Sequence, residues 1–162
     1  MQDNNNQFVV FVMEKEEFAC NIQNVREVLK MAKITPLPRS LDFVEGVINM
    51  RGEVLPVIDL RKRFDLAEAE RNEENRIIIV EVEDRIVGIV VDAVKEVISM
   101  STEQIQETPS QVVGGKTDLI MGVGKVDDRM LIILDLDRIL TTTEQLALND
   151  ISKDDRRLIQ GQ

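Results

Sequence analysis

The sequence predicts an all-β protein built as two small closed barrels related by a pseudo-twofold axis, with only short helices. Three observations carry that expectation. The run from Val44 to Phe64 recurs, because Val44, Gly46, Asp59 and Phe64 are matched by Ile120, Gly122, Asp135 and Leu140 at a constant spacing of 76 residues. An earlier segment recurs at a spacing of 69, with Val25, Val28 and Leu29 matched by Val94, Val97 and Ile98; self-similarity on this scale means two copies of one module. Each copy offers about five apolar runs of strand length, too few for a stable open sheet and enough for a small closed barrel.

Along the chain, Phe8–Met13 is continuously apolar and Phe18, Cys20 and Ile22 alternate, so two strands flank a turn at Glu14–Glu17. The first strand, apolar on both faces, is expected between the barrels. Asn24 is expected to cap a short helix that Glu27 closes as a capping box, with Val25, Val28 and Leu29 on one face. Ile34–Pro38 reads as an extended segment whose prolines suit an edge or loop. Val44–Asp59 then reads as a hairpin turning at Arg51 and Gly52, with Asp59 capping a short helix.

Asp65–Arg76, rich in Glu and Asn, reads as a solvated linker. The second copy follows: strands over Ile77–Val82 and Ile86–Val91, a helical piece with Val94, Val97 and Ile98, and a last hairpin from Ile120 to Leu134 before Asp135. The step from 69 to 76 places seven extra residues in the connection Ser99–Asp118. That connection, with Pro109, Gly114 and Gly115, is expected to be mobile. After Leu140 the chain becomes polar, and residues 141–162 are expected to form a frayed tail with marginal helix at Thr143–Leu148 and Asp154–Ile159. The expected units are a first barrel copy at about 14–64, a linker at 65–76, and a second copy at about 77–140 completed by strand 8–13.

Composition removes many functions. With 43% apolar and 31% charged residues the chain is an ordinary globular protein. It has no His, Trp or Tyr, and Cys20 is the single cysteine, so Ser-His-Asp and Cys-His catalysis and Cys/His zinc sites are unavailable within one chain. Cys20, on an alternating apolar face, reads as a buried small hydrophobe. A net charge of −10 and pI near 4.6 disfavour nucleic acid and anionic membrane surfaces. Other proteins or small ligands are the expected partners. Met1–Gln7 lacks the basic and apolar regions of a leader, and no apolar run approaches the roughly 20 residues a spanning helix needs. A cytoplasmic location is expected.

Candidate chemistry is sparse. Gly115, Lys116 and Thr117 resemble the end of a phosphate loop, but Ser110 stands where the first glycine belongs. Asp59 and Asp135, one from each copy, raise an aspartic-type hydrolase dyad, but each is followed by Leu and a charged residue rather than a Gly-containing turn, and helix capping is the favoured reading of both. A free-standing small-ligand barrel would need convergent polar groups around a pocket. Arg61, Lys62 and Arg63 make a basic spot that reads as a solvated helix face. Arg51, at a hairpin turn, is presented away from the core toward a carboxylate or carbonyl of a partner. The apolar residues around Val25 and Val28 exceed what one short helix face hides, so part of that face is expected to line a groove.

The stretch Asn49–Gly52 with Pro56 and Asp59–Arg61, the piece Val25–Val28, and the runs Ile86–Asp92 and Asp128–Ile132 resemble the CheW family of chemotaxis coupling proteins over residues 8–140. Met50 stands where the family usually has Leu, a swap of similar volume. The resemblance implies a non-catalytic adaptor of two intertwined five-stranded barrels of the Src homology 3-like kind, without cofactor or metal. It further implies that the chain couples the cytoplasmic tips of methyl-accepting chemoreceptors to the regulatory domain of a CheA-type histidine kinase, at receptor arrays on the inner face of the membrane. By matching positions, Val25, Glu27, Val28, Gly46, Arg51 and Val97 would serve receptor recognition, and Lys125, Asp127, Arg129, Met130 and Arg61 the kinase. The CheW-like regulatory domain of a kinase is the alternative within the same resemblance. Relatives with an appended receiver domain continue past residue 140, and the end at Gln162 disfavours that subclass.

Overall fold

A computed structural model describes residues 5–38, 43–67, 69–107 and 119–139. In chain order the strands are β1 (Asn5–Met13), β2 (Glu16–Asn21), β3 (Val25–Lys30), β4 (Val44–Met50) and β5 (Glu53–Asp59), followed by helix α1 (Leu60–Arg63). Then come β6 (Arg76–Val82), β7 (Arg85–Val91), β8 (Ala93–Ser101), β9 (Ile105–Gln106), β10 (Ile120–Val126) and β11 (Arg129–Leu134). Short 3-10 turns at Ile22–Asn24 and Thr102–Gln104 join β2 to β3 and β8 to β9, and residues 136–139 are helical.

The strands form two sheets, ordered β3-β6-β7-β5-β4 and β8-β1-β2-β11-β10-β9. The first closes into a barrel where Thr35 and Val47 exchange backbone hydrogen bonds of 2.9 Å, stitching the chain beyond β3 to β4. In the second, β8 continues through its 3-10 turn into β9, which pairs with β10 at Val123 and Gly124. Glycine makes each closure possible. A Cβ on Gly46 would lie 2.0 Å from the Thr35 carbonyl oxygen, and one on Gly122 would lie 2.4 Å from that of Gln106.

The sheets do not follow the sequence copies. The expected unit 14–64 loses β2 to the second sheet and receives β6 and β7, whereas β1 and β2 sit among β8, β10 and β11. Each barrel is therefore completed by the opening hairpin of the other copy, inserted beside β3 or β8 on one side and, through parallel pairing, beside β5 or β11 on the other. The inserted hairpins bury both faces. Alternate residues partition cleanly: Ile77, Ile79, Val57 and Val90 fill the first barrel, and Phe8, Val10, Ala19 and Ile133 the second. Their neighbours Ile78, Val80, Ile58, Val9, Phe11, Phe18 and Leu134 form a third apolar core between the barrels. That placement explains the doubly apolar first strand.

Two expected helices are strands. Val25–Lys30 pairs with β6, and Val94–Ile98 lies within β8 against β1. The cap falls earlier than expected: the Asn21 side chain accepts from the Gln23 amide at 2.8 Å, while the Asn24 side chain donates to the Glu81 carbonyl at 3.2 Å. With the cap spent on a single 3-10 turn, the β-branched residues beyond it enter the sheet, where a partner strand satisfies the backbone. Asp59 does cap α1, accepting from the Arg61 amide at 2.9 Å, and Asp135 accepts from the Arg138 amide at 3.1 Å. Residues 108–118, with the Gly115–Thr117 motif, and the tail from 140 onward lie outside the described residues.

Candidate functional site

The hairpin β4–β5 turns at Arg51 and Gly52, both at positive φ (53° and 89°), and the Asn49 side chain accepts from the Gly52 amide at 2.9 Å. This tight turn suits Gly and raises Arg51 out of the sheet. The Arg51 guanidinium then reaches across the barrel seam to β3 and clasps Glu27 with two bonds, of 2.9 and 3.1 Å. A bulge between Val25 and Glu27 makes the reach possible: it puts Glu27 in register with Ile79 of the barrel interior and Val28 with Ile78 of the inter-barrel face. Arg51 remains 74% exposed. Its hydrogen bonds hold the Glu27 carboxyl below the usual carboxylate range, and Glu27 raises the guanidinium in return.

Around this ion pair, Val28 is 40% exposed and Val25 is half-buried against the inter-barrel core. The structure thus joins Arg51 to Glu27 at the closure of the barrel, and sets Val25 and Val28 on the opposite, inter-barrel face of the same strand. Gly46 is buried under residues 35–36 with φ at +145°, so it offers no surface and instead shapes the seam. Val97, 50% exposed, occupies the position on β8 that corresponds to Val28 on β3.

The second barrel presents a separate face. Asp127, at φ 54°, forms the turn between β10 and β11, with Lys125 and Met130 in register beside it. Met130 is 62% exposed. Arg129 binds Glu17 at 2.9 Å and Glu96 at 2.8 Å, and Lys95 joins Glu17 from the other side. The bonds from Lys95 and Arg129 hold the Glu17 carboxyl low.

Arg61 requires correction as a surface contact. It is drawn inward, 15% exposed, with Nε and one terminal nitrogen on the two Asp92 oxygens at 2.9 and 2.8 Å and the other bonded to the Ala67 carbonyl. Its α1 neighbours are engaged too: Lys62 pairs with Glu45 at 3.1 Å, and the buried Arg63 lies 5.0 Å from the Phe43 ring centroid. A helix this short, packed at a barrel junction, has no wholly solvated face. Asp92 was the residue without a sequence-assigned role. A lone acid ending the apolar run Ile86–Val91 was the available signal.

No catalytic constellation forms among the described residues. Asp59 and Asp135 each spend a carboxylate oxygen on a cap and line different recesses: Asp59 sits with Glu45, Lys62 and Arg71, and Asp135 with Phe8, Asn24 and Met121. Arg71 adds a 3.3 Å bond to the second oxygen of Asp59. No cluster of His, Cys, Asp and Glu suits a metal among the described residues, and none of their helices is long and apolar enough to cross a membrane. Apolar side chains pack both barrel interiors. Burial pushes the Cys20 thiol up to about 12, so it is an inert hydrophobe.

Comparisons with known proteins agree with this geometry. The model for the CheW-like domain matches residues 7–144. The chemotaxis protein CheW of Klebsiella aerogenes is 33% identical, covering 91% of this chain and 89% of its own length. That of Bacillus subtilis is 37% identical, covering 82% and 85%. Among solved structures, the scaffolding protein TtCheW from Thermoanaerobacter tengcongensis superimposes with a TM-score of 0.75 at 41% identity, covering 80% of this chain and 88% of that one. Scaffolding, not catalysis, is the work of such a protein, which removes the hydrolase reading of Asp59 and Asp135. With a matching family model over most of its length and two exposed faces on a twinned β-scaffold, the chain belongs to the CheW family of chemotaxis proteins.

Proposed function

We propose that this chain is the adaptor that holds a methyl-accepting chemoreceptor tip and the regulatory domain of a CheA-type histidine kinase at the same time, within arrays on the cytoplasmic face of the membrane. The observation that carries the reading is the Glu27–Arg51 pair, a bidentate contact left in solvent beside the exposed Val28. A pair so exposed contributes little to folding. It instead pre-organises a charged rim next to an apolar seam, the surface that a helical hairpin laid into a groove requires. Val25, Glu27, Val28 and Arg51 form the receptor face, with Gly46 shaping it and Val97 the matching position of the second copy. Lys125, Asp127, Arg129 and Met130 form the kinase face.

Each contact buries about 800 Å² per partner or less, giving modest affinities that become firm through many simultaneous contacts in an array. The test is recruitment to receptor-bearing membranes. Arg51→Glu reverses the rim charge and is expected to weaken co-sedimentation with receptor about tenfold or more, leaving the circular dichroism spectrum and kinase pull-down unchanged. Unchanged receptor binding would overturn the assignment of Arg51.

A further inference from the structure

The two barrels meet over an apolar core, and apolar burial has no direction of its own. The polar contacts between them do have direction, and they are unequally placed. The chain crosses from one barrel to the other twice, between β7 and β8 and again between β2 and β3. At the first crossing stands Asp92. Its backbone amide donates to Val12 of β1 at 3.1 Å, and its carbonyl accepts from the side chain of Asn75 at 2.9 Å. One carboxylate oxygen accepts from the Glu14 amide, in the β1–β2 turn of the second barrel, at 2.9 Å. Both oxygens accept from Arg61, on helix α1 after β5 of the first barrel, and Glu14 adds a 3.7 Å charge contact to Arg61.

Among the described residues, the second crossing shows no such hub. Gln23 occupies the place that corresponds to Asp92, and Asp137 the place that corresponds to Arg61. Asp137 pairs with Arg85 at 2.8 Å but is 58% exposed, against 27% for Asp92. Beside this crossing opens an apolar cleft of about 410 Å³ lined by Asn21, Asn24, Val82 and Met121.

We propose that Arg61 and Asp92 are positioning residues: their forked bond at the first crossing sets the orientation of one barrel on the other, and so lets the receptor and kinase faces be engaged together. A planar guanidinium on a carboxylate that also holds a backbone amide allows one mutual orientation and resists sliding. At the other crossing the corresponding contact is the single Asp137–Arg85 bond, whose carboxylate is the more exposed of the two. The functional half of this inference rests on the adaptor reading above.

The test pairs a distance with a binding measurement. Nitroxide labels at Val54→Cys and Met121→Cys, exposed on the first and second barrels, report the inter-barrel distance, while buried Cys20 stays unlabelled. The parent is expected to give one narrow distribution. Arg61→Ala is expected to broaden it at least about twofold, Arg61→Lys by less because the fork is lost while the charge is kept, and Asp137→Asn not at all. Without labels, Arg61→Ala is expected to reduce kinase recruited through the adaptor to receptor membranes by about fivefold or more, with binding to each partner alone within about twofold of the parent. Where Arg61→Ala does not fold, Asp92→Asn carries the same readouts. An unchanged distribution overturns the positioning role whatever the binding shows. A broadened distribution with full joint recruitment overturns only the functional half. A parent protein that recruits no kinase points instead to failure of the adaptor reading, and leaves the distance result to stand alone.

Discussion

The two barrels solve closure identically and dress their seams differently. Gly46 and Gly122 correspond, and over each the incoming chain passes so closely that a methyl group would collide with a carbonyl. Phe43 and Leu119 correspond as well, each accepting from the amide of its barrel's capping aspartate, at 2.7 and 2.9 Å. At the seam surface the correspondence ends. Glu27 and Arg51 of the first barrel are matched by Glu96 and Asp127 of the second, two acids that cannot pair, and Glu96 turns to Arg129 instead. A duplicated module keeps what its backbone cannot do without, and diverges where side chains meet solvent.

The largest expected effect tests the shared half of that contrast. Gly46→Ala and Gly122→Ala are each expected to destabilise the protein by about 3 kcal/mol or more in denaturant titration. Gly46→Ala should be the worse, because φ at +145° adds backbone strain to the 2.0 Å collision. Equal, small losses would mean that the closing segments yield easily.

Next come the divergent surfaces. Arg51→Glu is expected to lose receptor and keep kinase, and Met130→Glu to lose about tenfold or more in kinase affinity and keep receptor, both read by pull-down. If either variant affects both partners, the faces are not independent.

Smaller and sharper is the acid response of the junction. Burial opposes ionisation of Asp92, but Arg61 and the Glu14 amide outweigh it and hold the carboxyl below its ordinary 3.8. A depressed folded-state value adds stability that is complete above the unfolded value and disappears as pH falls through the folded one. The stability gap between parent and Asp92→Asn, roughly 1.5–3 kcal/mol for hydrogen bonds to a charged group, should therefore be full at neutral pH and close only below 3.8. A gap independent of pH would mean the carboxylate charge is not what Arg61 holds. The smallest effect concerns Cys20, whose raised thiol should resist maleimide at pH 8 in the folded protein and react once it is unfolded.

Much of this was legible in the chain. The repeat, the capping aspartates, the Arg51–Gly52 turn and the doubly buried first strand all follow from spacing and residue type. Val25–Lys30 was misread because Val25, Val28 and Leu29 satisfy a helical stripe as well as a strand, and only β6, about 50 residues away in sequence, decides between them. Glu27 and Arg51 each stood out singly, yet their contact depends on a bulge and a seam that no local pattern encodes. Arg61 read as solvated because its partner, Asp92, is 31 residues distant. The exchange of β2, β6 and β7 left no local trace, since each of these strands keeps the same sequence whichever barrel it enters.

That exchange bears on how the protein is made. A ribosome that has delivered the first 64 residues has not delivered a barrel, because the gap between β3 and β5 waits for β6 and β7. The opening hairpin waits longer still, until Ile132 and Ile133 arrive to lie alongside Phe18 and Ala19. Such distant pairing slows folding and leaves bare strand edges in the nascent chain, and two chains emerging side by side have the means to trade their first hairpins with each other.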